Sequence, residues 1–356
     1  MRVFGVVGAR PNFMKISPLM REFAKHGEVG FVLVHTGQHY DERLSKLFFQ
    51  DLGLPKPDVW LDVGSASHAR QTAKVMTRFE EVVVKDRPDL VIVVGDVNST
   101  IACALVCAKL HIPVAHVEAG LRSFDRTMPE EINRLMTDQI SDLLFVTEDD
   151  GVDNLIHEGV SKDKIFLVGD VMVDTLLSHK MKAEESKILE ELGLEKSGYA
   201  LLTLHRPSNV DDKASLENIL SILEEVQSKI RIVFPIHPRT KKRVEEFALN
   251  ERLNSMKNII LTEPLGYLDF LKLMSNAKLI FTDSGGIQEE TTLIQVPCLT
   301  LRENTERPIT IDEGTNTLVG TDRDKILLHF QEILEGRYKK GRIPGLWDGR
   351  ASERIV

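Results

Sequence analysis

Residues 90–122 read LVIVVGDVNSTIACALVCAKLHIPVAHVEAGLR. A β-branched run over 90–94 stops at a glycine, a helix-like segment follows, and a second such run begins at 114. Two short apolar strands joined by a helical pattern form a βαβ unit, which places the strands parallel with a right-handed crossover. The same alternation predicts strands over 3–7, 31–35 and 143–146, and it resumes over 200–204, 232–235, 259–261, 279–282 and 298–301. The fold class read from this is α/β, with two open parallel sheets carrying helices on both faces, that is, two Rossmann-like domains.

The break between them is expected near 170. There KIFLVGDVMVDTLL takes a strand ending in Val168-Gly169-Asp170 into a new apolar helix, giving domains 1–170 and 171–346. The charged stretch that follows, KMKAEESKILEELGLEKSG, has the Glu and Lys spacing of a solvated surface helix. The closing GLWDGRASERIV carries Trp347, and an apolar residue so close to the end predicts that a C-terminal helix over 347–356 docks back on the first domain.

Composition agrees with two domains, since 356 residues exceed one ordinary core. With 42% hydrophobic and 28% charged residues, the chain has the mix of a soluble globular protein. The formal charge of -9 and the scattered basic residues argue against a nucleic-acid surface. MRVFGVVGARPNF reads as a first strand rather than a signal peptide, and no apolar run approaches the roughly 20 residues that cross a bilayer. A cytoplasmic location without a membrane partner is therefore expected. Cys103, Cys107 and Cys298 read as small buried residues, because zinc would need partners that are not nearby in the sequence.

In open α/β sheets, ligands bind beyond the carboxyl ends of the strands. In the first half those positions hold Gly8-Ala9-Arg10-Pro11 with Lys15 a turn later, then Gly95-Asp96, then His116 through Arg122 with Glu118 among them. In the second half they hold His205-Arg206, His237-Pro238-Arg239 and Asp283-Ser284-Gly285-Gly286. Acids gather in the first half and cations in the second. His205, Arg206, His237 and Arg239 with the Ser-Gly-Gly turn suit a diphosphate, which hydroxyl, backbone N–H and charged donors can share. Asp96, Glu118 and Glu130, with Glu131 beside it, offer proton acceptors whose crowding and desolvation would raise their pKa values. Each residue also has a plain structural reading: Asp96 as a helix N-cap, either glutamate as a helical partner of Arg134, His205 as an interior histidine, Arg10 as a helix C-cap. The dinucleotide and Walker spacings are absent, and Ser284 lacks the elbow of a serine hydrolase.

VVGARP with Lys15, TGQHYDE, VVGDVNST, HVEAGLRSFDRTMPEEINR, TLHRPSN, PIHPRTKK, TDSGGIQEE and TERP, with a later DG…ERI, closely resemble the non-hydrolysing UDP-N-acetylglucosamine 2-epimerases from the first strand to the last helix. The resemblance implies a glycosyltransferase-B type architecture, two Rossmann-like domains facing across a nucleotide-sugar cleft. It implies reversible conversion of UDP-N-acetylglucosamine to UDP-N-acetylmannosamine through a glycal, with no cofactor and no metal. Carried to matching positions, it makes Asp96, Glu118 and Glu130 the acid/base candidates and His205 the group that assists departure of UDP. Arg10, Ser284, Gly285, Gly286 and Glu290 would hold the nucleotide, Glu290 by its ribose hydroxyls, and Arg307 would lie near the sugar or phosphates. Lys15, Gln38, His39, Arg134 and His237 complete the implied binding set.

A homodimer and a role in surface polysaccharide supply are likewise implied. In bacterial members the region of Arg10, Lys15, Gln38 and His39 resembles part of a second, activating site for the same nucleotide sugar. Three departures stand out: Asn12 where the family most often has Glu, HRPSN for the commoner HRAEN or HRRES, and Asp170-Val171 for Asn-Thr. They leave open a 2-epimerase of a related UDP-sugar such as a diacetamido uronic acid. A glycosyltransferase and a silent UDP-sugar-binding protein are further alternatives, the last opposed by retention of Asp96, Glu118, Glu130 and His205 together.

Overall fold

Strand β1 (Arg2–Val7) lies between β2 (Gly30–His35) and β4 (Leu90–Val94) at the middle of the first sheet. With β3 (Val59–Trp60), β5 (Val114–Ala119), β6 (Leu143–Val146) and β7 (Ile165–Leu167), the order is β3-β2-β1-β4-β5-β6-β7, parallel throughout. The computed structural model describes residues 1–38 and 51–356, the Arg10 side chain excepted. Helices cover both faces of a parallel sheet, so its central strands are apolar on both sides; Val91, Ile92, Val93 and Val94 are all buried, which is why this stretch shows no polar alternation.

One core packs Phe4, Val6, Val34, Val91 and Val93 against Val75, Phe79 and Val83 of the His68–Lys85 helix and against Cys103 and Cys107 of the Asn98–Lys109 helix. Phe79 is fully buried there, and its truncation to Ala costs about 3–5 kcal/mol by the usual transfer and cavity terms. Both cysteines are free, and burial pushes the Cys107 thiol up to about 12, so neither is a nucleophile at neutral pH.

The second sheet comprises β8 (Tyr199–Thr203), β9 (Arg231–Pro235), β10 (Ile259–Thr262), β11 (Leu279–Thr282), β12 (Cys298–Thr300) and β13 (Asn316–Leu318), ordered β10-β9-β8-β11-β12-β13 and parallel. This repeats the first six strands of the other sheet. The expected strands are present to within a residue or two. The two that sequence reading missed, β3 and β13, are edge strands of two and three residues and carry little apolar pattern of their own.

The chain divides into compact units of Met1–Ser178 with Gly345–Val356, and His179–Pro344. Sequence reading put the break near 170; the units part at Ser178, inside the Val171–Ala183 helix. Within the first unit, Asp174 of that helix caps the C-terminal Ala351–Ile355 helix, accepting from the N–H of Ala351 at 3.1 Å and of Ser352 at 2.7 Å. Trp347 is buried beside it.

In each unit the strand order reverses once, between β1 and β4 and between β8 and β11. At such a switch point the flanking loops run in opposite directions and leave a crevice at the carboxyl ends of the strands. Arg10, Lys15, Asp96, His205 and the Ser284 turn follow those four strands, Glu118 lies within β5, and Gln38, His237 and Arg307 follow β2, β9 and β12.

Candidate active site

The first unit's site begins with an irregularity. β5 pairs with β6 in register as far as Val117, skips Glu118, and resumes with Ala119 opposite Val146. Glu118 is the bulged residue and has φ +75°, a left-handed conformation that costs a non-glycine residue about 1–3 kcal/mol. The bulge turns its carboxylate onto the ammonium of Lys15, and both groups are buried. Gly95 has φ +66°, and a Cβ there would lie 2.9 Å from Lys15 Nζ and 3.3 Å from Glu118 Oε2. Only glycine lets the β4 loop turn this close to the ion pair.

Asp96, next in the chain, is half-buried and bonded to Arg134 Nη1 at 2.5 Å. Glu131 grips the same guanidinium at Nε (3.1 Å) and Nη2 (2.7 Å) while accepting from the N–H of Ser123 and Phe124, each at 3.0 Å. Burial alone would raise the Glu131 pKa; the Ser123 amide and Arg134 outweigh it and hold it below the ordinary carboxylate value. Glu131 is thus a partner of Arg134, and Glu130 sits half-buried beside it in the first turn of the Pro129–Ile140 helix.

Asn12 has a clear reason to replace Glu. Its Oδ1 accepts from Gly8 N and Ala9 N at 3.0 Å each, and its Nδ2 donates to Val94 O at 3.0 Å, a donation that a carboxylate could not make. Gln38 Oε1 accepts from Ser99 N at 2.9 Å and Ser99 Oγ at 2.7 Å. Of the remaining expected binding residues, His39 and the Arg10 side chain lie outside the described residues.

In the second unit the two strands of the switch point are joined by Asp283. Its carboxylate lies 3.0 Å from His205 Nδ1 and accepts from the N–H of His205 at 2.9 Å and of Arg206 at 2.8 Å. Asn209 Nδ2 adds a bond at 3.2 Å. Burial pushes the Asp283 pKa up, but the His205 charge and these donors outweigh it, so Asp283 stays ionised below the usual range. A carboxylate on Nδ1 fixes the imidazole and leaves Nε2 as the nitrogen for chemistry.

The His237 ring centroid is 5.3 Å from that of His205, and its Nδ1 accepts from Arg239 N at 3.2 Å. The Arg239 side chain, expected at a diphosphate, is instead on Asp211, with Nε to Oδ1 at 3.0 Å. Arg239 foremost, with Arg243, draws the Asp211 pKa down to about 2.

Ser284 caps the ten-residue Gly285–Ile294 helix, whose first amides face outward at the end of β11. A Cβ on Gly285 would fall 2.7 Å from Glu306 Oε1 and 2.9 Å from Arg307 Nη1, so the approach requires glycine. Arg307 is paired with Glu289 and, at 3.0 Å, with Glu306, which also holds Arg302 at 2.8 Å.

The adjacent acids of QEE therefore have separate partners. Glu289 holds Arg307, and Glu290 accepts from Tyr267 Oη at 3.1 Å. Burial pushes the Glu290 carboxyl up to about 7, with the tyrosine bond acting the other way. Sequence reading placed Asp283 at a strand end without giving it a role, and missed Tyr267 and Glu306 as supporting residues. Asp283 was discoverable, because the ends of two adjacent strands of a switch point must meet.

Chemically, one unit offers carboxylates braced by buried cations, and the other offers an oriented imidazole beside a helix N-terminus. Among the described residues no group of three His, Cys, Asp or Glu is placed to hold a metal ion. None of the described helices is long and apolar enough to cross a membrane.

Two Rossmann-like sheets with this division of labour define an α/β enzyme of glycosyltransferase-B type. At the level of fold alone, the chain is similar to the lipopolysaccharide outer core galactosyltransferase WaaB, with a TM-score of 0.55 and 11% identity over 100% of this chain and 98% of that one. The family model for UDP-N-acetylglucosamine 2-epimerase matches residues 21–356, and the chain belongs to that family of isomerases. It is 46% identical to the UDP-N-acetylglucosamine 2-epimerase of Methanocaldococcus jannaschii over 100% of this chain and 98% of the relative. The crystal structure of the M. jannaschii enzyme in complex with UDP-GlcNAc and UDP is similar at a TM-score of 0.93 and 45% identity, covering 100% of this chain and 98% of that one. A UDP-2,3-diacetamido-2,3-dideoxy-D-glucuronate 2-epimerase of Pseudomonas aeruginosa is 41% identical over 100% of this chain and 98% of its own length.

Proposed function

We propose that this protein interconverts UDP-N-acetylglucosamine and UDP-N-acetylmannosamine by inverting C2. The C2–H bond breaks as its proton passes to one carboxylate of the Asp96, Glu118 and Glu130 set. That electron pair becomes the C1–C2 double bond of a glycal, and the C1–O bond breaks with UDP leaving as the anion. Return of a proton to the opposite face of C2, with re-addition of UDP at C1, completes the inversion. Atoms and electrons balance without an external oxidant, and no resident cofactor is required.

The carrying observation is Glu118, a carboxylate set on a strained bulge and braced by a buried lysine. Strain of that kind persists where the surrounding structure holds a side chain for chemistry. A C2 proton is barely acidic, so the base needs help from the leaving group. His205, held by Asp283, is assigned to the departing phosphate oxygen, and Ser284, Gly285, Gly286 and Arg307 to the remaining diphosphate charge. Glu290 is assigned to the ribose hydroxyls. Lys15, Arg134 and His237 support these groups through the contacts described above, and Gln38 is assigned to substrate binding. Residence in the cytoplasm, assembly as a homodimer, activation by a second UDP-N-acetylglucosamine and supply of a surface-polysaccharide precursor accompany the reading.

Proton NMR of the purified protein with UDP-N-acetylglucosamine in D2O tests it. Deuterium entering C2 while a manno-configured epimer accumulates is the expected result. Binding without exchange at C2 would overturn the reaction, and UDP release without an epimer would point to transfer or hydrolysis.

A further inference from the structure

The three carboxylates assigned to proton transfer sit on three separate segments: the loop after β4, the bulge of β5, and the Pro129–Ile140 helix. One buried pair touches all three. His116 of β5 lies with Nδ1 2.6 Å from Asp138 Oδ1, on that helix, and with Nε2 2.8 Å from the carbonyl of Gly95, the residue before Asp96. Asp138 Oδ2 in turn accepts from Gly120 N at 3.1 Å, just beyond the Glu118 bulge. His116 and Asp138 have no exposed side-chain surface.

Both partners of the imidazole are acceptors, a carboxylate and a carbonyl, so both ring nitrogens must carry hydrogen. The alternative, a proton on Asp138, conflicts with its other contacts, since the carboxylate also receives Arg122 Nη2 at 2.7 Å. Burial pushes the Asp138 pKa up, but His116 and Arg122 outweigh it and hold the group ionised. Arg122 is matched by Glu158 at 2.7 Å, so the cluster pairs two cations with two anions and leaves no bare charge inside the fold.

We propose that His116 is an imidazolium tie, a positioning residue that with Asp138 sets the β4 loop, the β5 bulge and the Pro129–Ile140 helix at the spacing proton transfer needs. The proposal rests on the epimerase reading for its catalytic consequence and on geometry alone for the charge state. His116 touches neither the sugar nor UDP in this account; it acts through the Gly95 carbonyl and, by way of Asp138, the Gly120 amide. A misplacement near 1 Å at a reacting group costs about 10²-fold in rate, so loosening the tie reads out in turnover rather than in nucleotide affinity, which the other unit supplies.

The test uses the full chain labelled with 15N at histidine. At about pH 8, His116 is expected to show two N–H groups, one to each of its acceptors, Asp138 and the Gly95 carbonyl. A single N–H there would overturn the charge state with no substrate involved. His116→Gln and the isosteric Asp138→Asn are then compared for C2 exchange and for UDP binding. Expected is a fall of about 10²-fold in kcat with KM and UDP affinity within about twofold, and for Asp138→Asn the loss of one N–H signal from His116. If His116→Gln does not fold, the Asn variant and the wild-type signals still decide the matter. A folded variant with kcat within about threefold of wild type, or one that loses KM and UDP affinity in step with kcat, would overturn the positioning role. Failure of the unaltered protein to exchange C2 would instead overturn the epimerase reading, while the N–H signals still decide the tie.

Discussion

The two sheets share a strand order, yet their switch points hold opposite chemistry. In the first, the candidate groups are acids, and two of them are braced by a buried cation, Glu118 by Lys15 and Asp96 by Arg134. In the second, the candidate groups include cations braced by acids, His205 by Asp283 and Arg307 by Glu289 and Glu306. The same backbone crevice is thus used twice, and each side carries its own countercharge. A functional charge buried without a partner costs several kcal/mol, so each unit has to neutralise its site internally before any substrate arrives. The difference also explains why a chain of net charge -9 can serve an anionic ligand. The positive groups act locally, and no global field is needed.

The comparison breaks first at Lys15. Lys15→Met strands the Glu118 carboxylate in the interior and should cost about 3–5 kcal/mol of stability in denaturant unfolding. A loss under about 1 kcal/mol would mean that the pair is not what neutralises the first site.

Next comes the one acid of the second unit assigned to substrate rather than to a cation, Glu290. Its folded pKa is raised from 4.5 to about 7, so the folded state binds the extra proton and gains stability that is fully present below about 4.5. That contribution, about 3 kcal/mol, disappears as pH rises through about 7. Unfolding of wild type compared with Glu290→Gln from acid to neutral pH should show it, the variant losing less as pH rises; parallel curves would remove the buried-acid description.

Turnover sharpens the division of labour. Asp96→Asn or Glu130→Gln should lower C2 exchange by about 10²-fold, the usual contribution of a general acid or base, with UDP titration calorimetry unchanged. Equal loss of UDP binding would collapse the distinction between the two units. The smallest effect is expected at Arg239. Its pair with Asp211 is largely exposed, and Arg239→Ala should change stability by less than about 1 kcal/mol and leave UDP affinity alone. A large loss of UDP affinity would restore Arg239 to the diphosphate site.

Much of this was legible in the chain. Short β-branched runs such as LVIVV suit strands buried on both faces, and their alternation with helical patterns leaves little choice but two doubly wound sheets. The strand-end rule then located Asp96, Glu118, His205 and the Ser284 turn before any coordinates, because those positions are set by local order along the sequence. The edge strands β3 and β13 escaped, since they are held by a neighbour and not by their own pattern.

Partnership was decided only in three dimensions. That Glu131 takes Arg134, that Glu289 and Glu290 one residue apart face different partners, and that His116 ties three segments all depend on packing. The sequence determined which residues stand at the ends of the strands, because hydrophobic periodicity is a local property. Which charges those residues compensate was left to the tertiary structure. A buried charge takes whatever opposite group the fold brings within hydrogen-bond reach, and Lys15 and Glu118 meet across more than a hundred residues of chain.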